Sequence, residues 1–124
     1  MDTTPYQEAL EAERVALEAQ LREVGVQTEP GSGVWIPSAS DLAVDQADPN
    51  EVADAAEESS EHVALVTELS ARYRNVLRAL KKIEEGTYGV DELDGEPIEE
   101  DRLHANPAAR TRKANLERED ELEA

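Results

Sequence analysis

The sequence contains no cysteine and no phenylalanine, and its aromatic residues are Trp35, Tyr6, Tyr73 and Tyr88 alone. Without thiols there is no disulfide and no thiolate metal ligand, which removes the usual scaffold of small secreted domains and the usual structural zinc set. With so few rings in 124 residues, little is available to fill a rounded core, and a thin, mainly α body is the better expectation. Positive charge is scarce too: 12 Lys+Arg stand against 30 Asp+Glu, a formal net charge of −18. Duplex binding depends on cations that neutralise phosphates, so direct nucleic-acid binding is not expected, nor is binding to an anionic membrane. No apolar run approaches the roughly 18 residues of a membrane span. Met1-Asp2-Thr3-Thr4-Pro5 lacks the basic-then-apolar pattern of a signal peptide. A cytoplasmic monomer is the expectation, although acidity also serves general solubility and by itself identifies no partner.

What is present is helical periodicity. Thr4 is placed to cap a helix over about 5–24, with Pro5 in its first turn and an apolar stripe at Tyr6, Leu10, Leu17, Leu21 and Val24; Gly25 can end it. Residues 26–47 carry Pro30, Gly31, Gly33 and Pro37 and read as a loop, with Trp35 packing that loop onto a neighbouring helix. Asp48, Pro49 and Glu51 form a helix-start signal. From there two registers repeat every seven residues: Val52, Ser59, Val66, Tyr73 and Leu80, and Ala55, His62, Leu69, Val76 and Ile83. A helix over about 49–85 follows, on the order of 55 Å long at 1.5 Å per residue. Folding the first helix antiparallel along it buries both stripes. The expected architecture is a coiled-coil hairpin over 1–86, with loop and tip at about 25–53. Residues 87–124 then form a small irregular lobe with Tyr88, Val90, Leu93, Ile98 and Leu103 as its core and a last helix from Ala108 to about Leu122. His62 is read as structural.

The residues Lys81 to Val90, then Gly95-Glu96-Pro97-Ile98, then Arg102-Leu103-His104-Ala105-Asn106-Pro107, resemble in order and spacing the globular end of the DksA/TraR family, whose members bind bacterial RNA polymerase. The likeness covers roughly residues 48–116. In that family a C-x-x-C pair follows the Tyr-Gly turn and a second follows the Arg-Leu-x-Ala-x-Pro segment; here those places hold Asp91, Asp94, Arg112 and Asn115. Arg has no lone pair to give and Asn is a weak ligand, so no zinc is expected. Arg112 could instead reach Asp91 or Asp94, or the four could be unpaired. Structural zinc is worth about 10–16 kcal/mol against about 0–1 for an exposed ion pair, so packing must carry most of the lobe.

The resemblance also implies a function. The tip of these factors carries an Asp-Pro-x-Asp-x-Ala motif, matched here by Asp48-Pro49-Asn50-Glu51-Val52-Ala53 with Glu51 in place of the second Asp. It implies a hairpin inserted into the polymerase secondary channel, with Asp48, Glu51 and Ala53 near the catalytic region. The alternative for Asp48 and Glu51 is plain helix capping. A calcium loop fails, because aligning Gly95 with the loop glycine puts Val90 at the first ligand position. No Ser/His/Asp set, phosphate-cradling loop or HExxH is present, so catalysis is not expected. Two functions stay open: a polymerase-binding transcription regulator lacking metal, and a coiled-coil interaction protein that kept the scaffold without that target.

Overall fold

The computed structural model describes residues 2–29, 33–37 and 49–122, with 49–59 as backbone only. The chain is mainly helical: α1 (Thr4–Val24), a short hairpin of β1 (Gly25–Gln27) and β2 (Trp35–Pro37), α2 (Pro49–Glu85), α3 (Glu100–Ala105) and a 3-10 helix (Lys113–Glu121). Both long helices have the extents that periodicity predicts. Among the described residues no helix is long and apolar enough to cross a membrane. The cap of α1 differs from expectation: Thr4 is its first residue, and the Asp2 carboxylate accepts the Thr4 N–H at 3.0 Å. Asp48 lies outside the described residues, as do the side chains of Val52, Ala55 and Ser59 in the predicted seam.

The chain packs as two compact units, residues 17–73 in one, and 1–16 with 74–124 in the other. In the first, the end of α1 runs antiparallel to α2. Leu17, Leu21, Val66, Leu69 and Tyr73 are all buried, Tyr73 Oη donates to Glu18 at 2.7 Å, and His62 Nε2 bonds the Val24 carbonyl at 2.5 Å. His62 is therefore structural, as read. Where residues 26–47 are expected to form a loop, β1 and β2 pair antiparallel, Gly25↔Pro37, Val26↔Ile36 and Gln27↔Trp35, and residues 38–47 lie outside the described residues. This hairpin is strapped to α2 by the Trp35 amide on Ser70 Oγ (3.3 Å), by Ser70 Oγ on the Gly33 carbonyl (3.2 Å) and by an edge-on Trp35–Tyr73 contact. Trp35 thus packs the connection onto a helix as expected, although its buried Nε1 finds no acceptor among the described residues.

Gly25 ends α1 through a close approach of strands. A Cβ there would stand 2.7 Å from the Ile36 carbonyl oxygen, which belongs to the backbone and cannot swing away. Gly25→Ala is expected to destabilise the protein by about 1–3 kcal/mol, the usual cost of overpacking. A urea titration followed by Trp35 fluorescence measures it, and an unchanged midpoint would show that the hairpin gives way freely.

In the second unit, Tyr6 and Leu10 of α1 and Val76 and Ala79 of α2 are buried. α2 stops in a Schellman motif: Gly86, at φ 79°, donates to the Ile83 carbonyl (3.2 Å), and Thr87 donates to that of Lys82 (2.8 Å). The lobe's core is Ile98, Leu103, Ala109 and Tyr6, with Tyr88 packed against it. Ile98, Leu103 and Tyr88 match expectation. Leu93 is half-buried, and Val90, predicted as core, is 39% exposed because its backbone is taken up by a bridge to Pro97 at the lobe's edge. The last helix begins at Lys113 and has 3-10 geometry, whereas an α-helix from Ala108 was expected. Residues 109–112 are held extended by the lobe: Glu92 N–H bonds the Arg110 carbonyl at 2.9 Å, and Arg112 sits at φ −74°, ψ 166°.

Candidate functional site

Sequence comparison within the lobe singled out Asp91, Asp94, Arg112 and Asn115, which lie on two turns 18 or more residues apart. The structure brings all four together. The first turn, Asp91-Glu92-Leu93-Asp94-Gly95, is tied by the Gly95 N–H on the Asp91 carbonyl (3.0 Å) and by Asp91 N–H on the Glu96 carbonyl (2.8 Å). Asp91 Oδ1 accepts the backbone N–H groups of Leu93 (2.6 Å) and Asp94 (3.1 Å). Its Oδ2 reaches across to the second turn, accepting the Arg112 N–H (2.6 Å) and the Asn115 amide (3.0 Å). Asn115 Nδ2 donates also to Asp94 Oδ2 at 2.7 Å, and Arg112 Nε donates to that same oxygen at 2.8 Å. Of the two partners considered for Arg112, its guanidinium takes Asp94 and its backbone takes Asp91.

The two carboxylates are not equivalent. Asp91 is only 2% exposed, and burial by itself disfavours its charge, but four N–H donors outweigh burial and hold its pKa down at about 2. Asp94 is more open, and its pKa is lowered first by the Glu96 N–H and then by Arg112 and Asn115. Asp91 is thus the pin that joins the two turns, with Asp94 and Arg112 forming a partly exposed clamp beside it.

This arrangement does not suit a zinc ion. Arg112 brings a positive charge and no lone pair, the Asn115 amide donates to both carboxylates, and every Asp91 oxygen already accepts two N–H groups. Among the described residues no group of three or more His, Cys, Asp or Glu is disposed to hold a metal ion.

Ionic contacts around the pin fix the rest of the lobe. Glu92 takes Arg110 Nε at 2.7 Å and Lys82 Nζ at 3.1 Å; burial raises its pKa, and these two cations bring it below the ordinary value. Arg102 bridges the Thr111 carbonyl (2.5 Å) and Glu119 (3.1 Å), Glu99 accepts the Lys113 N–H at 2.9 Å, and Lys113 pairs with Asp101. Tyr88 donates to the Pro107 carbonyl at 2.7 Å, and burial, helped by Tyr6, pushes its pKa up to about 12. Sequence reading missed the backbone role of Asp91. The signal was there: an Asp two and three residues before free N–H groups in an Asp-x-x-Asp-Gly turn is a side-chain-to-backbone capping pattern.

Of the tip residues, Asp48 lies outside the described residues, and Glu51 and Ala53 fall in the first turns of α2, where only the backbone is described.

No protein-family model and no curated protein sequence matches the chain. It is similar to a solved structure of transcription factor DksA2 from Pseudomonas aeruginosa, with a TM-score of 0.69 and 21% sequence identity over 96% of this chain and 83% of that one. The long helix pair and the cysteine-free lobe therefore belong to a DksA-like fold.

Proposed function

We propose that the chain regulates bacterial transcription by binding RNA polymerase through its secondary channel, with Asp48, Glu51 and Ala53 near the catalytic region and the lobe held together without zinc. The observation that carries this reading is the DksA-like fold over nearly the whole chain, together with a 37-residue α2 that starts at Pro49, inside the matched tip motif. Capping of α2 by Asp48 and Glu51 and presentation of negative charge at the tip are compatible roles, because a helix start favours carboxylates. The added methylene of Glu51 moves its carboxylate by about 1 Å relative to Asp, enough to alter a contact at a reacting centre.

Purified core polymerase and a short-lived promoter complex test the proposal. The wild-type chain is expected to bind polymerase and change the lifetime of that complex. The double variant Asp48→Lys/Glu51→Lys is expected to lose about tenfold or more of that change, the scale of losing one or two charged contacts. A variant that acts like wild type would show that the tip is not engaged. A wild-type chain that ignores polymerase would leave the coiled-coil interaction protein as the reading.

A further inference from the structure

Of the six glycines in the sequence, Gly95 is the one preceded by Asp or Asn. An Asp-Gly step is chemically labile, because the glycine nitrogen can close on the Asp side chain with no Cβ to crowd its approach. Here the turn demands that glycine, since Gly95 sits at φ 74°, in the left-handed region. Both residues belong to the clasp, and both are exposed. A labile pair is therefore built into the connection between the lobe's two turns.

Hydrogen bonds restrain the pair. The Gly95 N–H, whose nitrogen would make the attack, donates to the Asp91 carbonyl at 3.0 Å. The Asp94 carboxylate, which would receive it, is held at both oxygens: Oδ1 accepts the Glu96 N–H at 2.9 Å, and Oδ2 accepts Arg112 Nε at 2.8 Å and Asn115 Nδ2 at 2.7 Å. Cyclisation starts from the neutral carboxyl group, and the same donors, the Glu96 N–H first, favour the charged one. Nucleophile and electrophile are each committed elsewhere while the clasp is closed. Steric cover adds nothing, for the Asp94 side chain is 27% exposed and a Cβ on Gly95 would meet no atom within 4 Å.

We propose that Asp94-Gly95 is an isoaspartate-forming site gated by the clasp, silent while Arg112 and Asn115 hold Asp94 and active when they release it. In the open clasp the Gly95 nitrogen bonds to Asp94 Cγ, and the carboxyl hydroxyl departs with the Gly95 amide proton as water, leaving a five-membered succinimide. A water molecule then opens the ring. Addition at Cγ restores aspartate, whereas addition at the main-chain carbonyl of Asp94 routes the backbone through the former side chain and leaves isoaspartate. The sequence of steps is a dehydration followed by a hydration, with no change of oxidation state. Its product cannot rebuild the clasp, because the turn is longer by one methylene and the free carboxylate now stands on Cα, one carbon short of its place beside Arg112 and Asn115. A transient opening of the lobe is thereby made permanent.

Isoaspartate at position 94, followed in the full chain over days at neutral pH by digestion and electron-transfer fragmentation, is the test. The folded wild type is expected to isomerise about tenfold or more slowly than the same chain in guanidinium chloride, because modification of a transiently opened site follows the population of the open form. Arg112→Ala, which removes a partly exposed pair, is expected to raise the folded rate about threefold, and Asn115→Ala, which removes bonds to both carboxylates, about tenfold or more. Gly25→Ala, a destabilising change in the other unit, is expected to leave the rate within about twofold of wild type, since local opening of the lobe does not require that unit to unfold. Circular dichroism establishes that each variant folds, and Arg112→Ala carries the test if Asn115→Ala does not. A folded wild type that isomerises as fast as the denatured chain overturns the gate, as does a wild-type rate in both clasp variants. A rise in Gly25→Ala equal to that in Arg112→Ala overturns it too, by placing the chemistry in the globally unfolded chain. A denatured chain that forms no isoaspartate at position 94 overturns the site itself.

Discussion

Asp91→Asn is expected to destabilise the lobe by about 3 kcal/mol at neutral pH, the range for removing one partner from a buried, charge-assisted hydrogen-bond set. The substitution keeps the volume and changes only the chemistry. At Oδ2 the wild-type carboxylate meets two donors, the Arg112 N–H at 2.6 Å and the Asn115 amide at 3.0 Å, and at Oδ1 it meets two more. An Asn side chain has one acceptor atom and one donor atom, so at one end an NH2 group must face two N–H groups. Neither can turn to water, because the site is 2% exposed. Asp94→Asn, at a more open position, is expected to cost about 0–1 kcal/mol, the range for exposed pairs. The pH dependence separates this account from a mere packing defect. Since the folded pKa of Asp91, about 2, lies below its unfolded value near 4, its contribution is complete above pH ~4 and is lost as pH falls toward 2. Two pKa units correspond to about 3 kcal/mol. The stability gap between wild type and Asp91→Asn should therefore be constant from pH 7 to about 5 and close toward pH 2. Denaturant titrations across that range, with hydrogen exchange of the Arg112 and Leu93 amides reporting on the lobe, measure it. A gap under about 0.5 kcal/mol at pH 7, or one that does not narrow in acid, would contradict the role of Asp91 as the pin.

The two long helices were legible because their signal is redundant. Tyr6, Leu10, Leu17 and Leu21, and Val66, Leu69, Tyr73 and Val76, recur at helical spacing and are all buried. The short hairpin was not legible, since two strands of three residues among Gly and Pro carry too few alternations to register. Val90 misled for a similar reason: hydrophobicity suggested core, but its position is set by the Val90–Pro97 bridge. The placement of Tyr6 in the lobe core, where it meets Tyr88 at 5.5 Å and His104 at 5.1 Å between ring centroids, joins residues far apart in sequence that no local pattern relates. The convergence of Asp91, Asp94, Arg112 and Asn115 followed from the family likeness, yet its energetics did not. An Asp–Arg side-chain pair was the expected bond, and the shorter contact to the buried carboxylate comes from the Arg112 backbone N–H, which any residue but proline supplies at that position.

That same convergence makes the lobe convertible. Replacing the four residues together, Asp91→Cys/Asp94→Cys/Arg112→Cys/Asn115→Cys, is expected to yield a protein that binds one zinc ion, while the wild type purified alongside carries none in stoichiometric amount. Asn115 Nδ2 lies 3.0 Å from Asp91 Oδ2 and 2.7 Å from Asp94 Oδ2, and Arg112 Nε lies 2.8 Å from Asp94 Oδ2, so the polar ends of the four side chains gather in one small volume. A cysteine sulfur sits where the Asp and Asn Cγ atoms now sit, one bond short of that volume, and a Zn–S distance of about 2.3 Å fills the remaining gap. The Leu93 and Asp94 N–H groups that now serve Asp91 Oδ1 would remain as outer hydrogen bonds to the first sulfur. The energetics change sign with the metal. Without zinc the variant has lost the pin and the clamp and should unfold in the lobe, whereas with zinc a binding free energy on the order of 10–16 kcal/mol becomes folding free energy. A chelator should therefore melt the lobe of the variant and leave the wild type untouched. The readouts are zinc content by elemental analysis, a cobalt-substituted spectrum diagnostic of tetrahedral thiolates, and lobe protection with and without chelator. A variant that folds but takes up no metal would show that the two turns, although hydrogen-bonded, do not present their Cβ atoms toward a common centre. Stoichiometric zinc in the wild type would mean that the polar clasp is not what holds the lobe.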